Sequence, residues 1–167
     1  MRQEKTRFWV YAAAIAAMYA ALCHLQNIIF PNSASMMIQF RVAEALCVLA
    51  FFTPAAIPGL TVGCLLFNIT SAAALPLDFL IGSAATLLAA WLMYALRGVK
   101  LKGLPVLGLL MPAVTNAFLV GWELSFYIGG GFWLNALYVA IGEVAVLLTL
   151  GSALYAVIAK HRSRFSF

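Results

Sequence analysis

Residues 8–30, FWVYAAAIAAMYAALCHLQNIIF, contain no Asp, Glu, Lys or Arg. At about 1.5 Å of rise per residue, a helix of that length crosses the roughly 30 Å hydrocarbon layer of a bilayer. Further apolar runs follow, separated by prolines, glycines and short basic loops. The chain has 167 residues, 65% hydrophobic and 9% charged, whereas soluble domains carry about a quarter charged residues. No core of this size absorbs so much apolar surface, so lipid must act as the solvent. Spans of roughly 20 residues fit about six or seven times into this length and leave no room for a soluble domain. The expected fold is all-α: six transmembrane helices in one bundle, with residues 1–167 forming a single multi-pass unit.

The basic N-terminus followed by an alanine-rich run imitates a signal peptide. Its apolar stretch is too long for one, and the segments after it also span, so it is read as an uncleaved first helix. The remaining spans are expected over 39–52, 58–74, 76–96, 105–127 and 132–159, punctuated by Pro31-Asn32, Thr53-Pro54, Pro76, the RGVKLKG loop and the GGG at 129–131.

A net charge of +5 points to nucleic acid in a soluble protein, but here it reads as topology. Nine of the ten Lys and Arg residues lie in three clusters: Arg2, Lys5 and Arg7; Arg97, Lys100 and Lys102; Lys160, Arg162 and Arg164. Basic residues collect at cytoplasmic ends. Six spans put all three clusters on that side with both termini, and the loops on the other side contain no Lys or Arg. The location expected is the bacterial plasma membrane, with no nucleic-acid partner.

The first span carries two small-residue ladders, Ala12, Ala16, Ala20 and Ala13, Ala17, Ala21. Spacing of four puts each on one stripe, where another backbone can approach closely, either within the bundle or from a separate membrane subunit. Cys23, Cys47 and Cys64 have no CxxC or zinc spacing and read as buried small hydrophobes, with no metal and no cofactor. Cys23-His24 lacks a second ligand at i+4, and His24 with Asn27 reads instead as a cavity lining near the outer end.

Polar residues inside spans are costly unless they face a partner or a cavity. Arg41 and Glu44 fall at the outer end of the second span, one turn apart, where they form a local ion pair, a ligand set or both. Asn68 lies in the outer half of the third span, and Asp78 at the outer end of the fourth, below which Gly82, Ala85 and Ala89 continue its stripe. Glu123 sits near the outer end of the fifth, one face with Asn116. By helix rise these groups share one layer in the outer third of the bilayer. Trp122 and Trp133 lie at similar depth, as interface anchors or as stacking platforms. Glu143 lies near the midplane, as a strut between helices or a ligand. Several carboxylates around one Arg favour a cationic ligand rich in hydrogen-bond donors; the amidine edge of a guanine-like ring offers two parallel N–H groups to one carboxylate, and a second acid takes an ammonium.

Several stretches are familiar in order: QFRVAEAL at 39–46, PAAIPGL at 54–60, Leu77-Asp78, Gly121-Trp122-Glu123-Leu124, FWLNALY at 132–138 and Gly142-Glu143. They resemble the QueT family, substrate-binding S components of energy-coupling factor (ECF) transporters for queuosine precursors, over nearly the whole chain. The resemblance implies a six-helix fold that captures substrate from outside, with loop 31–38 as lid. It also implies docking through the alanine-rich first helix (Ala12, Ala13, Ala16, Ala17, Ala20) onto a transmembrane coupling subunit driven by two cytoplasmic ATPases. The implied substrate is 7-aminomethyl-7-deazaguanine or a relative such as queuine. On that reading Glu123 takes the ring N–H pair and Asp78 or Glu44 the aminomethyl group. Asn68, Asn116 and Asn135 address the remaining ring edge, and Trp122 or Trp133 stacks.

Two other classes compete with this reading. An intramembrane enzyme wants a metal set such as HExxH or a nucleophile beside a base, and the chain has only His24 and His161. A lone proton-coupled carrier has Glu143 in its favour, but such carriers show internal repeats, and none is visible. No Gly-x-x-x-x-Gly-Lys-Ser/Thr phosphate loop is present, so ATP hydrolysis belongs to partners. The expectation is a binding subunit and not an enzyme, for a deazapurine or another vitamin-like molecule.

Overall fold

A computed structural model describes residues 2–31, 33, 38–72 and 74–161. The described residues are helical apart from short connections and one isolated bridge between Leu101 and Leu104. In chain order the elements are α1 (Arg2–Ile29), a 3₁₀ helix (Val42–Phe51), α2 (Ala56–Thr70), α3 (Asp78–Ala95), a 3₁₀ turn (Leu96–Gly98), α4 (Val106–Leu109), α5 (Met111–Tyr127), α6 (Phe132–Val146), a π turn (Leu147–Gly151) and α7 (Ser152–Lys160). Four stretches are long and apolar enough to cross a membrane: Gln3–Ile29, Asp78–Gly98, Val106–Tyr127 and Phe132–Lys160. The 3₁₀ helix and α2 are shorter apolar helices. Most of the lid segment, residues 32 and 34–37, and the basic tail beyond His161 lie outside the described residues.

The second expected span departs most from a regular α-helix. Arg41 is extended, and the ten residues that follow are 3₁₀. At about 2 Å per residue that segment reaches roughly 20 Å, further than ten α-helical residues. In a 3₁₀ helix, positions i and i+3 eclipse, so Glu44, Cys47 and Ala50 line one ridge, all buried. The Cys47 Sγ donates to Glu44 Oε2 at 3.0 Å along it. Gln26 of α1 fixes where the ridge begins: its side chain binds both the Phe40 carbonyl and the Val42 N–H, the latter at 2.8 Å.

The last two spans are also interrupted. Pro112 lacks an N–H and cannot continue the α4 ladder, so the chain breaks at Leu110 and restarts with proline in the first turn of α5. Between α6 and α7 the Thr149 hydroxyl bonds the Ala145 carbonyl at 2.6 Å and Ser152 bonds the Leu148 carbonyl. Such hydroxyl back-bonding competes with the backbone ladder, and it coincides with the π turn.

Glycines set the close approaches. Gly59 and Gly63, four apart on α2, lie over the backbone of α1: a Cβ on Gly59 would meet the Ala12 carbonyl oxygen at 2.7 Å, and one on Gly63 the Tyr19 Cβ at 2.7 Å and the Ala16 carbonyl oxygen at 2.8 Å. A Cβ on Gly121 of α5 would meet the Ala136 Cα of α6 at 2.8 Å. Gly142 of α6 sits against the Gln39 carbonyl group. Small residues let spanning helices gain dispersion contact where lipid supplies no hydrophobic drive.

The alanine ladders divide accordingly. Ala12 and Ala16 are buried beneath α2 and Ala20 is half-buried, while Ala13 and Ala17 are exposed. The expectation that all five form a docking face is corrected: Ala12 and Ala16 are occupied by intramolecular packing.

Arg7, Arg97 and Lys100 lie at one end of the bundle. Arg7 shares a groove with Thr53 and Pro54, and Phe51 and Phe52 share another with Arg97, Lys100 and Tyr155. The polar residues of the spans lie toward the other end. Gly63→Leu should lower stability by about 1–3 kcal/mol through overpacking, seen as a lower Tm in detergent. The exposed neighbour Val62→Leu should leave Tm unchanged.

Candidate functional site

Four of the five acids of the chain, Glu44, Asp78, Glu123 and Glu143, are buried with Arg41, each 4% exposed or less. They come from five elements. Arg41 is extended just before the 3₁₀ helix, whose first turn carries Glu44; α3 begins with Asp78, α5 carries Glu123 in its second half, and α6 carries Glu143. Asn68 of α2 and Asn116 of α5 are buried with them.

One tier is built on Glu44 and Glu143. Tyr19 of α1 donates its hydroxyl to Glu44 Oε1, so with Cys47 on Oε2 both oxygens of that carboxylate accept protein hydrogen bonds. Asn116 Nδ2 donates to Glu143 Oε1 at 2.7 Å, joining α5 to α6. A second tier lies one and a half to two turns further along α5, about 10 Å by helix rise, where Glu123 comes within electrostatic range of Asp78 and Arg41. Asp78 Oδ2 accepts the Leu75 N–H at 2.8 Å, closing the turn into α3. Asn68 Nδ2 donates to the Asp78 carbonyl at 2.8 Å. Arg41 stands between the tiers, in range of Asp78, Glu44 and Tyr19. Gly82 makes room there: a Cβ on it would meet Asn68 Nδ2 at 2.7 Å and Arg41 Nη1 at 3.9 Å.

The buried side-chain oxygens without a protein partner include both of Glu123, Oε2 of Glu143, and Oδ1 of Asn68, Asn116 and Asn135. These are acceptors. Burying such atoms without a donor costs about 1–3 kcal/mol each, a cost that a donor-rich ligand removes.

Several expected site residues lie elsewhere. Trp122 is 55% exposed and stacks on Phe126 with centroids 6.3 Å apart. One residue along an α-helix turns the side chain by about 100°, so Glu123 facing inward sends Trp122 outward. Trp133, 76% exposed, packs edge-on against Phe132. The expectation that either ring stacks on a ligand in this layer is corrected. Asn135 is buried but ties the GGG turn to α6, donating to Gly129 O at 2.7 Å and Ser125 Oγ at 3.2 Å. Asn27 is half-buried, with its Oδ1 shielded and without a protein partner, and His24 pairs with Thr70 at 2.9 Å. The cysteines are buried, but Cys47 and Cys64 are members of the polar layer, Cys64 lying 3.5 Å from Asn68 Nδ2, and not only apolar filler. Glu44, Glu123 and Glu143 are fully enclosed in this structure.

Sequence reasoning passed over Tyr19 and Gln26. With Cys23 they occupy i, i+4 and i+7 of α1, one helical face, and all three are buried. That polar stripe within the first span was the available signal.

Over residues 9–160 the sequence matches the QueT transporter family. The chain belongs to the QueT transporter family. No curated protein and no solved structure matches it. Membership, together with its long apolar helices, makes it a multi-pass membrane transport protein with a small-molecule substrate. The enclosed polar layer is then the candidate substrate site of a QueT protein.

Tyr19→Phe removes the donor to Glu44 while keeping the ring. It should cost about 1–3 kcal/mol by leaving a buried acceptor unpaired, measured as a fall in thermal stability in detergent.

Proposed function

We propose that this QueT protein is the substrate-capture S component of an ECF-type importer, binding 7-aminomethyl-7-deazaguanine or a related deazapurine such as queuine for ATP-dependent uptake. The observation that carries the reading is the set of buried carboxylate and amide oxygens in the enclosed layer that have no protein donor. Glu123, Glu143, Asn68 and Asn116 all present buried oxygens that lack donors, and four carboxyl groups face one guanidinium. The substrate supplies what is missing: an amidine edge with two parallel N–H donors and an ammonium on a short arm.

In this assignment Glu123 accepts the ring N–H pair on its two oxygens, a bidentate geometry that carboxylates suit. The aminomethyl group goes to Glu143 Oε2, with Asp78 nearby, in preference to Glu44, whose two oxygens are taken by Tyr19 and Cys47. Asn68 and Asn116 address the remaining ring edge. Arg41 balances the carboxylates and holds the two tiers together. The protein binds and releases without covalent chemistry, so it is not an enzyme.

The whole chain acts as one six-span unit with cytoplasmic termini in a bacterial plasma membrane. The 3₁₀ helix and α2 serve as the two short spans, and the end carrying Arg7, Arg97 and Lys100 faces the cytoplasm. Docking onto the coupling subunit uses the ladder left exposed on α1, Ala13 and Ala17, and two cytoplasmic ATPases drive the cycle.

Glu123→Gln should weaken substrate binding by about 2–5 kcal/mol, as when one side of a buried charged hydrogen bond is truncated; unchanged affinity in radioligand binding removes Glu123 from the site. Ala17→Trp should leave binding intact and abolish ATP-dependent uptake into cells that carry the partner subunits. Ala16→Trp, which drives a ring into the Gly63 contact, should instead lower thermal stability. Uptake that persists without ATPases and stops on adding a protonophore would favour a lone carrier.

A further inference from the structure

At the basic end of the bundle the chain builds a second site unlike the first. A pocket of about 230 Å³ is lined by Phe51, Phe52, Arg97, Lys100 and Tyr155. Its floor is aromatic and rigid: the Tyr155 ring packs edge-on against Phe51 with centroids 5.6 Å apart and lies 5.4 Å from Phe52. Arg97 is held in place at the rim, donating from Nη1 to the Tyr94 carbonyl at 2.7 Å and lying 4.0 Å from the centre of the Tyr94 ring.

Among the described residues, no acid lines this pocket. The chain has five acids: four are enclosed in the polar layer, and the fifth, Glu4, lines the groove of Arg7, Thr53 and Pro54. Arg97 and Lys100 are therefore open to a counter-charge from outside the molecule.

The adjoining hairpin indicates where that charge lies. Leu101 and Leu104 exchange backbone hydrogen bonds of 2.8 and 3.1 Å around Lys102 and Gly103, both at positive φ, the pattern of a tight two-residue turn. Entering it, Val99 and Leu101 alternate with Lys100 and Lys102, and side chains alternate across an extended segment. Val99 and Leu101 are exposed, an arrangement that suits a hairpin lying at the water–lipid boundary, leucine toward acyl chains and lysine toward headgroups. The pocket itself opens where the apolar stretches Asp78–Gly98 and Phe132–Lys160 end.

We propose that this pocket binds the phosphodiester headgroup of an anionic phospholipid. Arg97 and Lys100 pair with the phosphate, the Phe51–Tyr155 floor receives the glycerol and first methylenes, and the 99–104 hairpin seats the lipid at headgroup depth. Basic pockets between spanning helices recognise anionic headgroups through this combination of charge and position.

The test is native mass spectrometry of the full chain, with phosphatidylglycerol and phosphatidylcholine of equal acyl length in competition. The wild type should retain phosphatidylglycerol with a preference of about tenfold or more, on the order that two basic side chains near an anionic surface provide. R97Q/K100Q should lose that preference, while K5Q/R7Q, with the same charge change outside the pocket, should keep it. If the double variant does not fold, K100Q alone, altering one exposed side chain, should still reduce the preference several-fold. Equal loss in K5Q/R7Q, or no preference in the wild type, overturns the site. Stabilisation by inorganic phosphate equal to that by phosphatidylglycerol assigns the pocket to a free anion and overturns the lipid.

Discussion

Taking a charged carboxylate out of water costs several kcal/mol unless partners replace the lost solvation, and this chain encloses four carboxyl groups around one guanidinium. Much of the rest of the fold answers that constraint. Tyr19 and Cys47 hold Glu44, Asn116 holds Glu143, and the Leu75 N–H holds Asp78. Glu123 faces Asp78, and neither of its oxygens receives an N–H or alcohol donor from the protein. The layer thus combines acids held by protein donors with oxygens that have none.

Backbone geometry serves the same layer. The 3₁₀ helix turns what an α-helix would spread around its circumference into a straight ridge, so Glu44 and Cys47 face the same way. Gly82 lets Asn68 and Arg41 approach α3, and Gly142 lets α6 lie directly on Gln39, two residues before Arg41. Gln26 clamps the entry to that ridge from α1. Because α1 supplies both Tyr19 and the exposed Ala13–Ala17 stripe, one element carries part of the polar layer on one face and an exposed small-residue stripe on another.

The membrane class, the helical punctuation and the inward acids were legible because each depends on a local property: apolar length, a proline or glycine, or a charge where lipid penalises it. Glu123, Asp78, Glu44 and Glu143 stood out for that reason. The 3₁₀ form of the second apolar segment was not legible, since its residues suit an α-helix equally and tertiary packing decides. The direction of Trp122 was not legible from its depth alone, because adjacent residues of a helix point about 100° apart and Glu123 takes the inward one. Tyr19 and Gln26 escaped notice because neutral polar side chains raise no alarm in an apolar run. The glycine pair Gly59 and Gly63 has the four-residue spacing of close helix packing, but only the structure shows that it consumes the Ala12–Ala16 ladder.

The central claim is that the enclosed layer recognises a deazaguanine through its amidine edge and its ammonium together. Isothermal titration of the purified chain in detergent, with 7-aminomethyl-7-deazaguanine and with guanine, tests it directly. The account predicts saturable one-to-one binding of the first and at least about tenfold weaker binding of guanine, since one charged hydrogen bond is worth about 1.5–3 kcal/mol. Equal affinity for the two, or no binding of the aminomethyl compound by folded protein, would contradict it.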